Sequence, residues 1–161
     1  MIKEKDGYSY SPSDLTLYMS SPFASWMARF ELECPNAAPE KDAPDTLMTL
    51  LQTKGYAHED SLEAAFIQQG KSLVKIDGGN RAEQERTTLE AMQAGIDVIV
   101  QARLVKKPFA GYADFLVRVP GASQLGDYHY EVWDTKLSSS LKASFVIPFF
   151  MVVPSLLVGW L

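Results

Sequence analysis

The chain has 161 residues, of which 47% are hydrophobic and 22% are charged, and this balance favours one globular domain over a disordered chain. The formal net charge of −5 disfavours a protein that binds nucleic acid by overall charge, unless basic residues cluster or a metal ion compensates. Cys34, the single cysteine, excludes an intrachain disulfide and any all-cysteine metal site, and it predicts a reducing, cytoplasmic setting.

Helices are predicted for most of the first half of the chain. Residues 9–30 contain capping serines and prolines, which predict a short helix, a break at Ser21-Pro22 and a second helix. A longer helix is predicted from Asp45, because six residues, all apolar or small except His58, recur there at steps of three and four: Leu47, Leu51, Gly55, His58, Leu62 and Ala65. A brief helix follows at about residues 83–94 and ends at Gly95.

After Gly95 the composition of the sequence changes to one typical of β-strands. DVIVQARLV, FAGYADFLVRV and YHYEVWDTKL are rich in β-branched and aromatic residues, and short turn-forming segments separate them. Three consecutive strands with short connections predict an antiparallel meander that follows the helices. The predicted fold class is therefore α/β, of the α+β type.

The last segment, SFVIPFFMVVPSLLVGWL, runs eighteen residues from Ser144 without a charged side chain. This length is close to the lower limit for a membrane span. Pro148 and Pro154 interrupt the segment, so a buried segment or an atypical terminus is favoured over a membrane helix. A membrane tether formed by residues 144–161 stays open as an alternative, and the first residues show no signal peptide.

The third predicted strand carries a possible catalytic pattern. Period-two alternation places Asp134 and Lys136 on one face and Glu131 on the other. Asp114, in GYAD of the preceding strand, would lie near Asp134 across a short hairpin. Two carboxylates on adjacent strands are the minimal cradle for Mg²⁺ or Mn²⁺, and the lysine can stabilise charge on a phosphate. The alternative is a polar cross-strand pair on a solvated face.

Three motifs, GYAHEDSLEAAF, GYADFLVRV and YEVWDTKLS, resemble in their order the RecB-type branch of the PD-(D/E)XK nuclease superfamily. The resemblance is strongest to the nuclease domain that begins certain longer bacterial proteins, and YSPSDLTLYMSSPFASW resembles the first helix of that family. It implies a restriction-endonuclease-like core over residues 1–147, followed by an atypical apolar tail at residues 148–161.

The resemblance also implies site residues and a reaction. Asp114, Asp134 and Lys136 would be catalytic, and the metal ligands would be His58, Asp114, Asp134 and the Thr135 carbonyl. The cofactor would be Mg²⁺ or Mn²⁺. The substrate would be nucleic acid, with DNA expected, and the enzyme would act in DNA repair, recombination or processing. Longer relatives would add helicase or RNase H-like domains. For His58 the alternative is a satisfied core histidine within its apolar stripe.

The end of the chain departs from the family pattern. Pro148 stands where the family has a glutamine-bearing helix, which predicts an altered or truncated C-terminal part. A catalytically inactive nucleic-acid or partner-binding module with the same fold, or a non-functional fragment, therefore stays open. Seven basic residues are candidate contacts to a nucleic-acid backbone, although an ordinary solvated side chain is favoured for each one taken alone: Lys54, Lys71, Lys75, Arg103, Lys106, Lys107 and Lys142.

Overall fold

The computed structural model describes residues 1–40 and 46–134, which form four helices and two β-sheets in a mixed α/β arrangement. In chain order the elements are β1 (Ile2–Glu4), β2 (Gly7–Ser9), α1 (Pro12–Ser20), α2 (Pro22–Glu33), α3 (Thr46–Gln68), β3 (Leu73–Lys75), α4 (Arg81–Gln93), β4 (Val98–Lys106), β5 (Phe109–Ser123) and β6 (Gly126–Trp133).

The larger sheet has the strand order β3-β4-β5-β6. β4, β5 and β6 pair antiparallel in chain order, at the three segments where the sequence predicts strands. The prediction of a three-stranded antiparallel sheet was nevertheless incomplete, because β3 adds a fourth strand that pairs in parallel with β4. β3 has only three residues, too few for alternation to show in the sequence. β1 and β2 form a separate antiparallel pair.

Local capping signals begin the helices where the sequence predicts. At α1, the Ser11 hydroxyl accepts a hydrogen bond from the Asp14 N–H at 3.3 Å, and the Asp14 carboxylate accepts one from the Ser11 N–H at 2.7 Å. Ser21 has an extended backbone and caps α2, which confirms the predicted break. Asn80 and Glu83 form the same reciprocal pair at the start of α4.

The core lies on both faces of the larger sheet. On one face, Met92 of α4 packs in a cluster with Ile99, Leu116 and other buried side chains of the sheet. On the opposite face, Phe66 of α3 packs against buried side chains of β4 and β5, which form a second cluster: Val98, Val100, Phe115 and Val117. The central strands are thus covered by α4 on one side and α3 on the other, the arrangement of a layered α/β core.

The chain before α1 is joined to the beginning of β5. The Tyr10 N–H donates to the Pro108 carbonyl and the Ala110 N–H donates to the Tyr10 carbonyl, both at 2.9 Å. A Cβ atom on Gly111 would lie 2.9 Å from Cδ of Pro12, the first residue of α1. The glycine of the GYAD motif is therefore explained by close packing of α1 against β5.

The hairpin between β5 and β6 contains one extra residue on the β5 side. The pairing Ser123 with Gly126 changes register before Pro120 pairs with Tyr128. Gly121 lies in this bulge with φ of +153°, and a Cβ there would come within 2.6 Å of the His129 ring. Only glycine fits this conformation and this approach together.

Several predictions concern residues outside the described ranges. These are the roles of Thr135 and Lys136, the domain boundary at residue 147, the apolar tail at residues 148–161 and the altered C-terminal part. Within residues 1–40 and 46–134, no helix combines the length and the apolar character needed to cross a membrane.

Candidate functional site

Two of the predicted acidic residues lie on neighbouring strands of the larger sheet, Asp114 within β5 and Asp134 directly after β6. Gln101 of β4 and Asp114 of β5 lie between the same two flanking pairs of these strands. The last pair between β5 and β6 joins Phe115 to Trp133, and the same register continued by one step would bring Asp134 opposite Asp114. Both aspartates are half-buried. We call Gln101, Asp114 and Asp134 the acidic row.

The backbone is distorted at this row. Gln101 has φ of +53°, the only non-glycine residue with a positive φ among those described. Val100 faces the α3 cluster and Ala102 the α4 cluster, although strict alternation would put both on one face. Phe115 and Ala113 show the same reversal on β5. Such outliers concentrate at functional sites, because they persist only where surrounding structure holds them.

Helix α3 presents acids to the sheet at positions other than the one predicted. The Gln101 side-chain amide donates to the Glu59 carboxylate at 3.2 Å, and the Lys75 ammonium donates to Glu63 at 2.7 Å. Leu62 and Phe66 lie on the same helix face and pack on the sheet. Glu59, one residue after the predicted histidine, is therefore the side chain of α3 that reaches the acidic row.

The histidine itself lies on the exposed surface of α3. His58 is exposed, so the reading of His58 as a core histidine in an apolar stripe is wrong. The spacing of three and four identified a helix, but the sheet packs on the face that carries Glu59, Leu62 and Phe66. The assignment of His58 as a metal ligand stays a prediction.

A buried arginine lies two residues along β4 from the acidic row. Arg103 pairs in register with Tyr112, and its guanidinium carbon lies 5.3 Å from the centre of the Tyr112 ring. The Tyr112 hydroxyl donates to the Gln84 side chain of α4 at 2.6 Å. The Arg103 backbone N–H donates to the hydroxyl of the fully buried Thr88 at 3.1 Å. Both strands and α4 therefore hold this arginine in place.

Two polar groups of the larger sheet, Lys75 of β3 and Tyr130 of β6, have shifted pKa values. The pKa of Lys75 is raised, chiefly by its hydrogen bond to Glu63, which keeps the ammonium charged. Burial raises the pKa of Tyr130 to about 12, so this hydroxyl stays protonated and donates to the Ile96 carbonyl at 2.6 Å. Neither shift produces a general base at neutral pH, and both groups serve the fold.

Sequence reasoning missed three residues around the acidic row: Glu59, Gln101 and Arg103 as a buried group. The spacing Glu59, Leu62, Glu63 and Phe66 was a visible signal for the sheet-facing side of α3. No signal in QAR indicates a positive φ, because glutamine rarely adopts one.

Carboxylates such as those of Asp114 and Asp134 are the donor type that Mg²⁺ and Mn²⁺ prefer. In the part of the chain that the structure describes, no three His, Cys, Asp or Glu side chains form a group that could hold a metal ion. The described side chains alone therefore do not complete the predicted ligand set.

No known family model matches this chain, and neither the curated proteins nor the solved structures include a match to it. The resemblance to RecB-type nucleases accordingly stays a prediction that rests on the motifs themselves.

Proposed function

We propose that this protein is a metal-dependent nuclease that hydrolyses phosphodiester bonds of DNA, with a restriction-endonuclease-like core. The observation that carries the proposal is that Asp114 lies in β5 beside the distorted point of β4 at Gln101, while Asp134 directly follows β6, the antiparallel neighbour of β5. Asp134 begins the D-x-K pattern that ends at Lys136. Paired acids followed by a lysine suit phosphate chemistry.

The order of the elements supports the same proposal. The resemblance implies a helix that contributes to the site, then a strand with the first aspartate, then a strand with the second. Helix α3, β5 and β6 follow in that order, and Glu59 of α3 contacts the acidic row through Gln101.

The proposed reaction gives different roles to the side chains of this protein. The carboxylates of Asp114 and Asp134 would bind the cation, and Lys136 would stabilise the charge that develops on the phosphate in the transition state. The chemistry that a bound Mg²⁺ supplies is a water of lowered pKa and partial neutralisation of the phosphate. Gln101 would hold Glu59 in a fixed position beside the acids.

A second candidate is a catalytically inactive module that binds nucleic acid through the same fold. The exposed position of His58 favours it, because a histidine that packs on neither core cluster lacks the support that usually orients a metal ligand. In this case the acidic row would retain its geometry without a complete ligand set.

The test is cleavage of single- and double-stranded DNA by the full chain with Mg²⁺ or Mn²⁺. We expect Asp134→Asn and Asp114→Asn each to lower the cleavage rate roughly 100-fold, because each removes a charge that acts on the transition state. Asp127→Asn is the matched control, since Asp127 is an exposed acid on the same strand β6. We expect it to cleave like the wild type.

Equal cleavage by the wild type and Asp134→Asn would contradict the nuclease proposal, because it would point to a contaminating enzyme. DNA binding by the wild type without any cleavage would instead favour the inactive module.

A further inference from the structure

Arg103 carries a donor that nothing in the described structure satisfies. The residue is 7% exposed, and its Nε is buried without a hydrogen-bond partner. Arg29, Lys75, Arg86 and Arg118 form ion pairs, whereas Arg103 forms none among the described residues. Arginine is almost never buried unless it is paired.

Leaving a buried charged donor unsatisfied opposes folding, so such a group calls for an explanation. Packing does not account for it, since Leu or Met would fill the same space without a charge. Several contacts also hold Arg103 in one position. Thr88 accepts a hydrogen bond from its backbone N–H, and the Tyr112 ring lies beside its guanidinium. The Tyr112 hydroxyl is in turn held by a hydrogen bond to Gln84. A rigidly held guanidinium is pre-organised for an anionic ligand.

The place of Arg103 in the sheet indicates which anion. Arg103 and Tyr112 pair in the row two residues from the acidic row, roughly 7 Å away along the strands. The planar donor fork of arginine matches the oxygens of a phosphate, and a phosphodiester chain that crosses the acidic row would carry further phosphates on either side.

We propose that Arg103 is a substrate-binding residue that holds a backbone phosphate of DNA beside the acidic row, which rests on the proposed function. A phosphate oxygen would accept the unsatisfied hydrogen bond of the guanidinium Nε. The contact is to the backbone, so it is independent of base sequence and sensitive to salt.

The test measures binding without cleavage, by fluorescence anisotropy of a labelled single-stranded oligonucleotide in buffer that contains a metal chelator. We expect Arg103→Gln to raise Kd about tenfold and to reduce the slope of log K against log salt by about one. Arg86→Gln is the matched control, because Arg86 is an exposed arginine paired with Glu90 on α4. We expect it to bind like the wild type.

Arg103→Lys keeps the charge without the planar fork, and we expect an intermediate Kd with an unchanged salt slope. This variant and Tyr112→Leu carry the test if circular dichroism shows that Arg103→Gln does not fold. Wild-type Kd and salt slope in the folded variants, or no binding by the wild type, would overturn the proposal.

Cleavage, measured separately with Mg²⁺, keeps the two proposals apart. A wild type that binds through Arg103 but does not cleave would remove the nuclease and retain the phosphate contact. Cleavage that depends on Asp134 together with unchanged binding by Arg103→Gln would remove only the phosphate contact.

Discussion

At the scale of single residues, Asp97 joins the segments that precede β3 and β4 to β5. Its carboxylate accepts hydrogen bonds from the Ser72 N–H at 2.9 Å and the Ser72 hydroxyl at 2.7 Å. Its other oxygen accepts one from Arg118 at 2.6 Å. The Ser72 hydrogen bonds, followed by Arg118, hold the pKa of Asp97 well below its usual range.

We expect Asp97→Asn to lower the free energy of unfolding by about 1–2 kcal/mol at neutral pH, because it removes the charge that these donors satisfy. The folded pKa lies below the unfolded pKa of about 3.9, so the carboxylate stabilises the fold fully above that pH. The stabilisation is lost as the pH falls towards the folded pKa. Urea unfolding at several pH values measures this.

The matched control for Asp97 is Glu90→Gln, which breaks the exposed pair with Arg86 at 2.7 Å. We expect a change within about 0.5 kcal/mol, since exposed i, i+4 pairs contribute little. An equal loss from both substitutions, or a loss from Asp97→Asn that persists below the folded pKa, would contradict the assignment.

At the scale of elements, the contact between α1 and β5 depends on the missing side chain of Gly111. We expect Gly111→Ala to lower the free energy of unfolding by about 1–3 kcal/mol, because the new Cβ would lie 2.9 Å from Pro12 and force α1 away from the strand. Thermal unfolding measures the change.

Gly55→Ala is the control for Gly111, since Gly55 lies in helix α3 and a Cβ there meets nothing within 4 Å. We expect it to be neutral or to stabilise by up to about 1 kcal/mol. A Gly111→Ala protein as stable as the wild type would show that α1 shifts without cost.

Elements with strong local signals could be predicted from the sequence, and elements defined by their partners could not. The break at Ser21 and the strands β4, β5 and β6 follow from capping residues and β-branched runs. β3 is a strand only because it pairs with β4, and α4 separates these two strands in the sequence. Spacing predicted α3, but it could not decide whether His58 or Glu59 faces the sheet, because the sheet makes that choice.

The candidate site divides in the same way. The sequence correctly assigned Asp114 to one strand and Asp134 to the end of the next, since a short hairpin joins β5 and β6. The positive φ of Gln101 and the burial of Arg103 arise from tertiary packing at the acidic row, and residue type alone does not report them.

At the scale of the whole molecule, the described core is concentrated around the four-stranded sheet, and α2 contributes no buried residue. Phe66 is 8% exposed and packs on Phe115 with ring centres 5.8 Å apart. Phe23 of α2 is 69% exposed and stacks on Trp26, which is 56% exposed. Phe66 is therefore a core residue, whereas Phe23 lies on the surface.

We expect Phe66→Ala to lower the free energy of unfolding by about 3–5 kcal/mol, through lost burial and a cavity beside Phe115. Phe23→Ala should change it by less than about 1 kcal/mol, because the ring is already in water. Denaturant unfolding of both variants measures the contrast. A large loss from Phe23→Ala would show that the face of α2 is covered in solution.

The extra residue in β5 near Gly121 sets the register of the whole pairing between β5 and β6. With the register of Ser123 and Gly126 continued, Asp134 instead of Trp133 would lie opposite Phe115. The one-residue shift between Pro120 and Ser123 thus determines which residues pair several positions further along the strands. Single-residue insertions and deletions in this hairpin are therefore not neutral changes of loop length: they decide which side chains meet at the acidic row.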